Sequence, residues 1–123
     1  GKNAEKYNLD LDKIIVSGDS AGGYFGAMLA AITINKDIQK RLGIETDLHF
    51  GATILNCGIY DVGQALSAKV PFKLGEKILW DFAHIKKAEF DTYEWKEICA
   101  PIDFVTPAFP PSFITYAKKD FFC

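Results

Sequence analysis

The sequence has few cysteines and histidines and no excess of basic residues. Its 14 Lys and Arg residues stand against 16 Asp and Glu residues, a net charge of -2, and both signs are scattered along the chain. No basic stripe is present that could neutralise phosphates, so nucleic acid is not an expected partner. The three cysteines, Cys57, Cys99 and Cys123, include no CxxC pair and have no histidine close by. This spacing excludes the usual zinc sites, and we expect no metal.

Long apolar runs and a leader segment are missing as well. No apolar stretch approaches the ~18 residues that a membrane helix needs, so no membrane span is expected. No basic start leads into a short apolar core, as it would in a signal peptide. The odd, sparse cysteine count is typical of a reduced compartment and predicts a cytoplasmic location. Because the chain begins at Gly1 rather than at methionine, we expect its natural N-terminus to be absent.

Short apolar runs mark three strands in a chain long enough for a single core. Runs without alternation predict strands buried in a parallel sheet at about 13–17, 52–56 and 112–117. After the first strand, apolar residues at helical spacing predict a helix that ends near Asn35. The aromatic-rich segment of about 62–111 contains "GEKILWDFAHIKK" and "DTYEWKEI", which predict two helices, before the prolines of "TPAFPP" exclude regular structure. The order predicts an α/β domain with a parallel sheet and crossover helices.

The first strand runs into the glycine-rich stretch "IIVSGDSAGGY". A dinucleotide-binding turn needs GxGxxG, and this spacing is not present. A phosphate-binding P-loop needs a lysine where Tyr24 stands, which argues against that site too. The pattern that fits is G-x-S-x-G, formed by Gly18, Asp19, Ser20, Ala21 and Gly22 between a strand and a helix. A simpler alternative is that Ser20 only caps the helix.

The chemistry of a serine nucleophile explains this spacing. A tight, strained turn would push the Ser20 hydroxyl out above the sheet, and the residues two before and two after, Gly18 and Gly22, would need almost no side chain. Because a helix would start at the serine, the N–H of Ala21 is a candidate donor to a developing oxyanion. Asp19 is expected to fix the turn rather than to react.

The longer string "GDSAGG" resembles the nucleophile motif of the hormone-sensitive-lipase-like family of α/β-hydrolases, which are esterases and lipases. The stretch "FVTPAFPPSFITYAKKD" resembles the part of that family in which a Pro-Pro turn leads into a strand that ends at the catalytic aspartate. The resemblance implies a partial α/β-hydrolase fold, Ser20 as nucleophile, Asp120 as triad acid, a small-molecule ester substrate and no cofactor. The family usually has asparagine where this chain has Tyr24.

Asp120 can also be judged from its position alone. An acid just past a buried parallel strand lies at the carboxyl end of the sheet, where the turn presents Ser20, and there it could orient a histidine. The alternative is a solvated loop acid beside Lys118 and Lys119.

Two further polar residues follow the second strand: Asp61 is expected to cap a helix, and Cys57 to pack as a buried thiol.

The histidine that completes such a triad of serine, acid and histidine is missing. It should follow Asp120, but only residues 121–123 remain, and His49 and His84 are expected to be ordinary surface or packing residues. No HGGG-like loop precedes the turn in residues 1–17. We therefore expect residues 1–123 to be an inactive part of a catalytic domain whose parent is an esterase. A non-catalytic binding module remains the alternative, and the sequence does not determine the oligomeric state.

The aromatic stretch at about 72–98 has two interpretations. Insertions above such a sheet often form caps over a pocket, where they set specificity. Amphipathic helices packed on a sheet need aromatic anchors as well. The sequence leaves both open.

Overall fold

The computed structural model describes residues 3–120 and contains one parallel sheet of three strands. The strands are β1 (Ile15–Asp19), β2 (Ala52–Asn56) and β3 (Ser112–Thr115), and their spatial order is also their order in the chain. Both pairings are parallel. The predicted α/β class, with three parallel strands and helices between them, is confirmed.

Five α-helices lie among the described residues. They are α1 (Ala4–Tyr7), α2 (Ala21–Ile34), α3 (Lys36–Leu42), α4 (Val62–Ser67) and α5 (Leu74–Ala83). Short 3-10 helices cover Leu11–Lys13, Pro71–Lys73, Lys87–Thr92, Lys96–Ile98 and Pro101–Phe104. The longest helix, α2, has 14 residues, and no helix in residues 3–120 has the length and apolar character needed to cross a membrane.

Three strand boundaries differ from the prediction, while β2 has the predicted bounds; one of them is the end of β1, which was expected at 17 but continues through Gly18 to Asp19. The first strand was expected from about 13, but Asp10 accepts a hydrogen bond from the N–H of Asp12 (3.0 Å) and holds Leu11–Lys13 in a 3-10 turn. The third strand was expected to reach 117. It ends at Thr115, and the chain then turns, with the N–H of Asp120 donating to the carbonyl oxygen of Ala117 (2.9 Å).

Local capping also explains the differences among the helices. The sequence pattern does not predict α3, which begins because the Asn35 side chain accepts hydrogen bonds from the N–H groups of Asp37 and Ile38 (both 3.0 Å). The predicted helix over "DTYEWKEI" is wrong, since extended Tyr93 separates two 3-10 helices there. The expected cap of α4 is confirmed, with Gln64 N–H donating to the Asp61 carboxylate (2.8 Å).

Helix α2 packs closely on one face of the sheet because its inner side is made of small residues. A Cβ built on Gly26 would lie 3.1 Å from Cδ2 of Leu55 and 3.6 Å from Cγ2 of Val16. Ala30 and Ala31 are fully buried. A larger residue at position 26 would force the helix away from β1 and β2.

The opposite face of the sheet is uncovered within residues 3–120. Ile15 is 57% exposed and Phe113 is 64% exposed, and Ile54, which pairs with Phe113, is 38% exposed. A further hydrophobic cluster is formed where Leu66 and Leu79 pack with Phe90. The sheet therefore has one packed face and one apolar face that other groups could cover.

The glycines of the turn between β1 and α2 have different steric roles. A Cβ on Gly18 would lie only 2.1 Å from the carbonyl oxygen of Gly22, whereas a Cβ on Gly22 would meet no atom within 4 Å. The expectation that both positions exclude a side chain is therefore wrong for Gly22. The second crowded position is Gly23, where a Cβ would lie 2.9 Å from the carbonyl oxygen of Asn56.

This asymmetry predicts opposite effects for two alanine substitutions. Gly18→Ala should lower the free energy of unfolding by on the order of 3 kcal/mol, because backbone must move to admit the methyl group. Gly22→Ala should be neutral, or stabilising by up to about 1 kcal/mol, because it improves helix propensity in open space. Urea unfolding of both variants measures the difference. Equal destabilisation by the two substitutions would contradict the steric assignment.

Candidate functional site

The carboxyl ends of the three strands meet at one edge of the sheet. The register pairs Asp19 with Asn56 and Asn56 with Thr115. The ladder continues one residue further, because Ser20 N–H donates to the Asn56 carbonyl oxygen (2.8 Å) and Cys57 N–H donates to the Thr115 carbonyl oxygen (2.8 Å). Ser20 and Cys57 are thereby held at the same edge, in the position typical of ligand sites in parallel sheets.

Ser20 has a strained backbone and makes no capping hydrogen bond. Its φ of 53° and ψ of -117° lie outside the regions that residues with a side chain usually adopt, a conformation that costs about 1–3 kcal/mol. A helix N-cap normally has extended dihedrals and a side-chain bond to the first turn. The simpler interpretation of Ser20 as a cap is therefore wrong, and its side chain remains exposed.

Helix α2 begins immediately after Ser20. The N–H of Tyr24 donates to the carbonyl oxygen of Ser20 (3.1 Å), which closes the first turn. Helix geometry leaves the N–H of Ala21 without an acceptor inside the helix, at the positive end of the helix dipole. The Ser20 hydroxyl therefore lies on the residue next to the Ala21 N–H, which could stabilise an anion.

A cavity of about 670 Å³ lies at this edge and is lined by both predicted triad residues, Ser20 and Asp120. Asp120 is half-buried in the turn after β3. Most other lining residues are apolar or aromatic and come from α2, α5 and the segment after α5; they include Phe25, Met28, Ile78, Leu79, Phe82, Phe90, Tyr93 and Trp95. The aromatic stretch therefore forms part of the cavity, as a cap over a pocket would.

Neither histidine lies at the cavity. His49 precedes β2, whose amino end is marked by the hydrogen bond from Gly51 N–H to the Ile14 carbonyl oxygen (2.8 Å), so it lies at the opposite edge from Ser20. It is exposed, 3.9 Å from the Asp12 carboxylate. His84 ends α5, and its ring packs edge-on to Trp80. Among residues 3–120, no histidine lines the cavity, and both have the surface and packing roles that were expected.

Among the described residues, Cys57 and Cys99 line the cavity, and neither is fully buried. The Cys99 thiol contacts the Lys96 carbonyl oxygen at 3.2 Å, and burial is the main reason that its pKa is raised. A raised pKa disfavours the thiolate, which is the reactive form. Cys57 has a positive φ of 48° immediately after β2, and it is only partly buried rather than buried as expected, because the cavity opens beside it.

Tyr24 also belongs to the site, although the sequence alone does not single it out beyond its departure from asparagine. Its hydroxyl donates to the carbonyl oxygen of Cys99 (2.9 Å), a residue 75 positions further along the chain. Burial, with smaller contributions from Cys99 and Tyr93, raises the pKa of Tyr24 to about 12. The hydroxyl therefore stays protonated and remains a donor at any physiological pH.

Comparison with known proteins agrees with this geometry. The BD-FAE family model matches residues 1–122. A carboxylesterase of Lactobacillus plantarum WCFS1 superposes with a TM-score of 0.66 at 21% identity, over 94% of this chain and 36% of that one. No curated protein sequence matches the chain.

Two further solved structures share the fold. A lipase/esterase of Lactobacillus plantarum has a TM-score of 0.69 at 21% identity, over 97% of this chain and 42% of that chain. Esterase B of Lactobacillus rhamnosis has a TM-score of 0.67 at 20% identity, over 86% of this chain and 33% of that chain. The chain thus has the α/β-hydrolase fold, and it spans less than half the length of each of these three proteins.

The strain at Ser20 generates a first prediction for the site. Ser20→Gly should raise the free energy of unfolding by about 1 kcal/mol, because glycine adopts this backbone conformation without strain. Ser20→Ala removes the same hydroxyl but keeps the Cβ, so it serves as the matched control and should leave stability nearly unchanged. Urea unfolding of the two variants tests this. A Ser20→Gly variant no more stable than Ser20→Ala would contradict the assignment of strain.

The shifted pKa of Tyr24 predicts a pH dependence of stability. Because the pKa is raised from 10.0 to about 12 by folding, the unfolded chain releases this proton first, so the free energy of unfolding falls between those two pH values. The stabilisation is fully present below pH 10. Tyr24→Phe lacks this group and should lose less stability over the same range, as measured by urea unfolding at both ends of it. Identical pH dependence in the two proteins would contradict the prediction.

Proposed function

Since the chain belongs to the BD-FAE family of esterase- and lipase-like α/β-hydrolases, we propose that it carries the serine nucleophile and the triad acid of a carboxylic ester hydrolase. The observation that carries the proposal is the strained, exposed Ser20 at the start of α2, which shares one mainly apolar cavity with Asp120. A strained residue at a cavity edge is where functional groups concentrate. The substrate class is an uncharged small-molecule ester, and no cofactor is needed.

The proposed reaction is acyl transfer in two steps. The Ser20 oxygen attacks the ester carbonyl carbon and gives its proton to a histidine base. The N–H of Ala21 and the start of α2 stabilise the negative charge on the carbonyl oxygen. The intermediate then expels the alcohol, which takes the proton from the histidine and leaves an acyl group on Ser20. Water, activated by the same histidine, releases the carboxylic acid and restores the serine.

Asp120 is proposed to act on the histidine rather than on the substrate. Its carboxylate would hold the imidazole in the correct tautomer and stabilise the imidazolium that forms during attack. The chain spans 33–42% of the length of the three esterase structures compared with it. We therefore propose that it is the part of a longer catalytic domain from the nucleophile turn to the acid loop, and that the remainder supplies the histidine and a second oxyanion donor.

A second candidate is a non-catalytic binding module with the same cavity. The observation that favours it is the lack of a histidine among the cavity-lining residues of 3–120. Such a module would bind apolar ligands in the cavity without turning them over. The strain at Ser20 favours the enzyme, because a binding module gains nothing from it.

Labelling with a fluorophosphonate separates the two candidates in the complete gene product that contains this chain. We expect covalent labelling and hydrolysis of short acyl esters, with both lost in Ser20→Ala and kcat/KM lowered by about 10⁴-fold or more. Ser17→Ala, a change at an exposed serine within β1, is the matched control and should keep full labelling. Asp120→Asn should keep the nucleophile but lower kcat by about 10²- to 10⁴-fold.

Three outcomes would overturn parts of this proposal. A complete protein that binds esters but is neither labelled nor active would favour the binding module. Labelling that survives Ser20→Ala would place the nucleophile elsewhere. Clear turnover by the isolated 123 residues, lost in Ser20→Ala, would show that no outside histidine is needed.

A further inference from the structure

One side of the cavity is a segment with little regular structure, residues 93–99, here called the aromatic wall. Tyr93, Trp95, Ile98 and Cys99 of this wall line the cavity. Its only helical element is the single 3-10 turn Lys96–Ile98. Because so short a turn has few internal hydrogen bonds, the position of the wall depends on contacts with other elements.

The outer side of the wall is held by Arg41, in the last turn of α3. Its guanidinium donates to the carbonyl oxygen of Glu94 and forms an ion pair with the Glu97 carboxylate (3.1 Å). The same group lies over the ring of Trp95, 5.5 Å from its centroid. One side chain thus contacts three wall residues from outside the cavity.

The inner side of the wall is held by Tyr24, one helical turn after Ser20. Its hydroxyl donates to the Cys99 carbonyl oxygen at 2.9 Å, and its ring packs edge-on to Phe25 with 5.4 Å between centroids. The ring itself lines the cavity. This bond joins α2, which begins immediately after Ser20, directly to the wall, so the two surfaces that would face an acyl group are fixed relative to each other.

The chemistry of the cavity defines what can occupy it. Among its lining residues in 3–120, Asp120 is the only Asp, Glu, Lys, Arg or His. An anionic acyl group would lose its hydration and find no basic partner among these residues, whereas an apolar chain gains from burial. Residues 3–120 enclose about 670 Å³, of which an acetyl group would fill only a small part.

On the basis of the proposed esterase function, we propose that Tyr24 is a specificity-determining residue that makes the enzyme selective for long, uncharged acyl chains. Its hydroxyl holds the aromatic wall where the wall packs against such a chain. A wall that is already positioned does not have to be ordered when the substrate binds, so more of the contact energy appears as affinity. A short acyl group makes no use of the wall.

Tyr24→Phe tests the proposal because it removes one oxygen and keeps the ring. In the complete gene product, we expect KM for a p-nitrophenyl octanoate to rise roughly 3- to 10-fold, as for loss of one partly buried hydrogen bond. We expect kcat for the octanoate to change by less than about twofold. For p-nitrophenyl acetate, both KM and kcat should also change by less than about twofold. Tyr7→Phe, at an exposed tyrosine of α1, removes the same group outside the cavity and is the matched control. Fluorophosphonate titration corrects for the active fraction.

A second variant and a second measurement make the result independent of folding yield. Arg41→Lys keeps the positive charge but loses the planar guanidinium that contacts the wall. It should therefore raise the octanoate KM, although Arg41 is not a lining residue of the cavity. Hydrogen exchange of the amides of residues 93–99 should become faster in both variants and remain unchanged in Tyr7→Phe.

The outcomes distinguish this inference from the proposed function. If the wild-type protein hydrolyses neither ester, the proposed function fails, and the specificity role fails with it. If the wild-type protein is active but Tyr24→Phe keeps the wild-type ratio of KM values, the proposed function stands and the role of Tyr24 is overturned. A parallel loss of kcat on both esters would also overturn it, since that pattern indicates general damage to the site.

Discussion

The contact between the backbones of Gly18 and Gly22 is the constraint on which the rest of this structure depends. A methyl group on Gly18 would lie 2.1 Å from the Gly22 carbonyl oxygen, so β1 and α2 can approach this closely only without it. The chain then passes from β1 to α2 through a single residue, Ser20, which adopts a strained positive φ. The close approach and the strained serine are therefore two parts of one turn, and a residue that relaxed either would move the hydroxyl.

The direction of α2 follows from this turn and organises both the sheet and the cavity. Gly26 lets the helix lie against Val16 and Leu55, which fixes its axis on the sheet. The same axis carries Tyr24 to the carbonyl oxygen of Cys99. The packing of one helix thus sets the distance between the serine and the aromatic wall, because interiors at native packing density transmit such constraints rather than absorb them.

The regular elements were predictable where hydrophobic spacing alone selects them. The bounds of β2 and the extent of α2 agree with the pattern, since continuous apolar runs suit strands of a parallel sheet and small residues suit a helix close to a sheet. The pattern was wrong where side chains bind the backbone locally, as Asp10 does before β1 and Asn35 does at the start of α3. Such bonds depend on the direction of the chain, which spacing does not record.

What the sequence determined by itself is the chemistry of the turn: a serine flanked by glycines between a strand and a helix, with an acid after a later strand. Only the tertiary structure decided that Ser20 and Asp120 share one cavity, and that Tyr24 rather than Gly22 is a constrained neighbour of the serine. The physical reason is the difference in sequence separation between the interacting residues. Steric limits on a turn act between adjacent residues, whereas the bond from Tyr24 to Cys99 spans 75 positions and exists only after the sheet and α2 have packed.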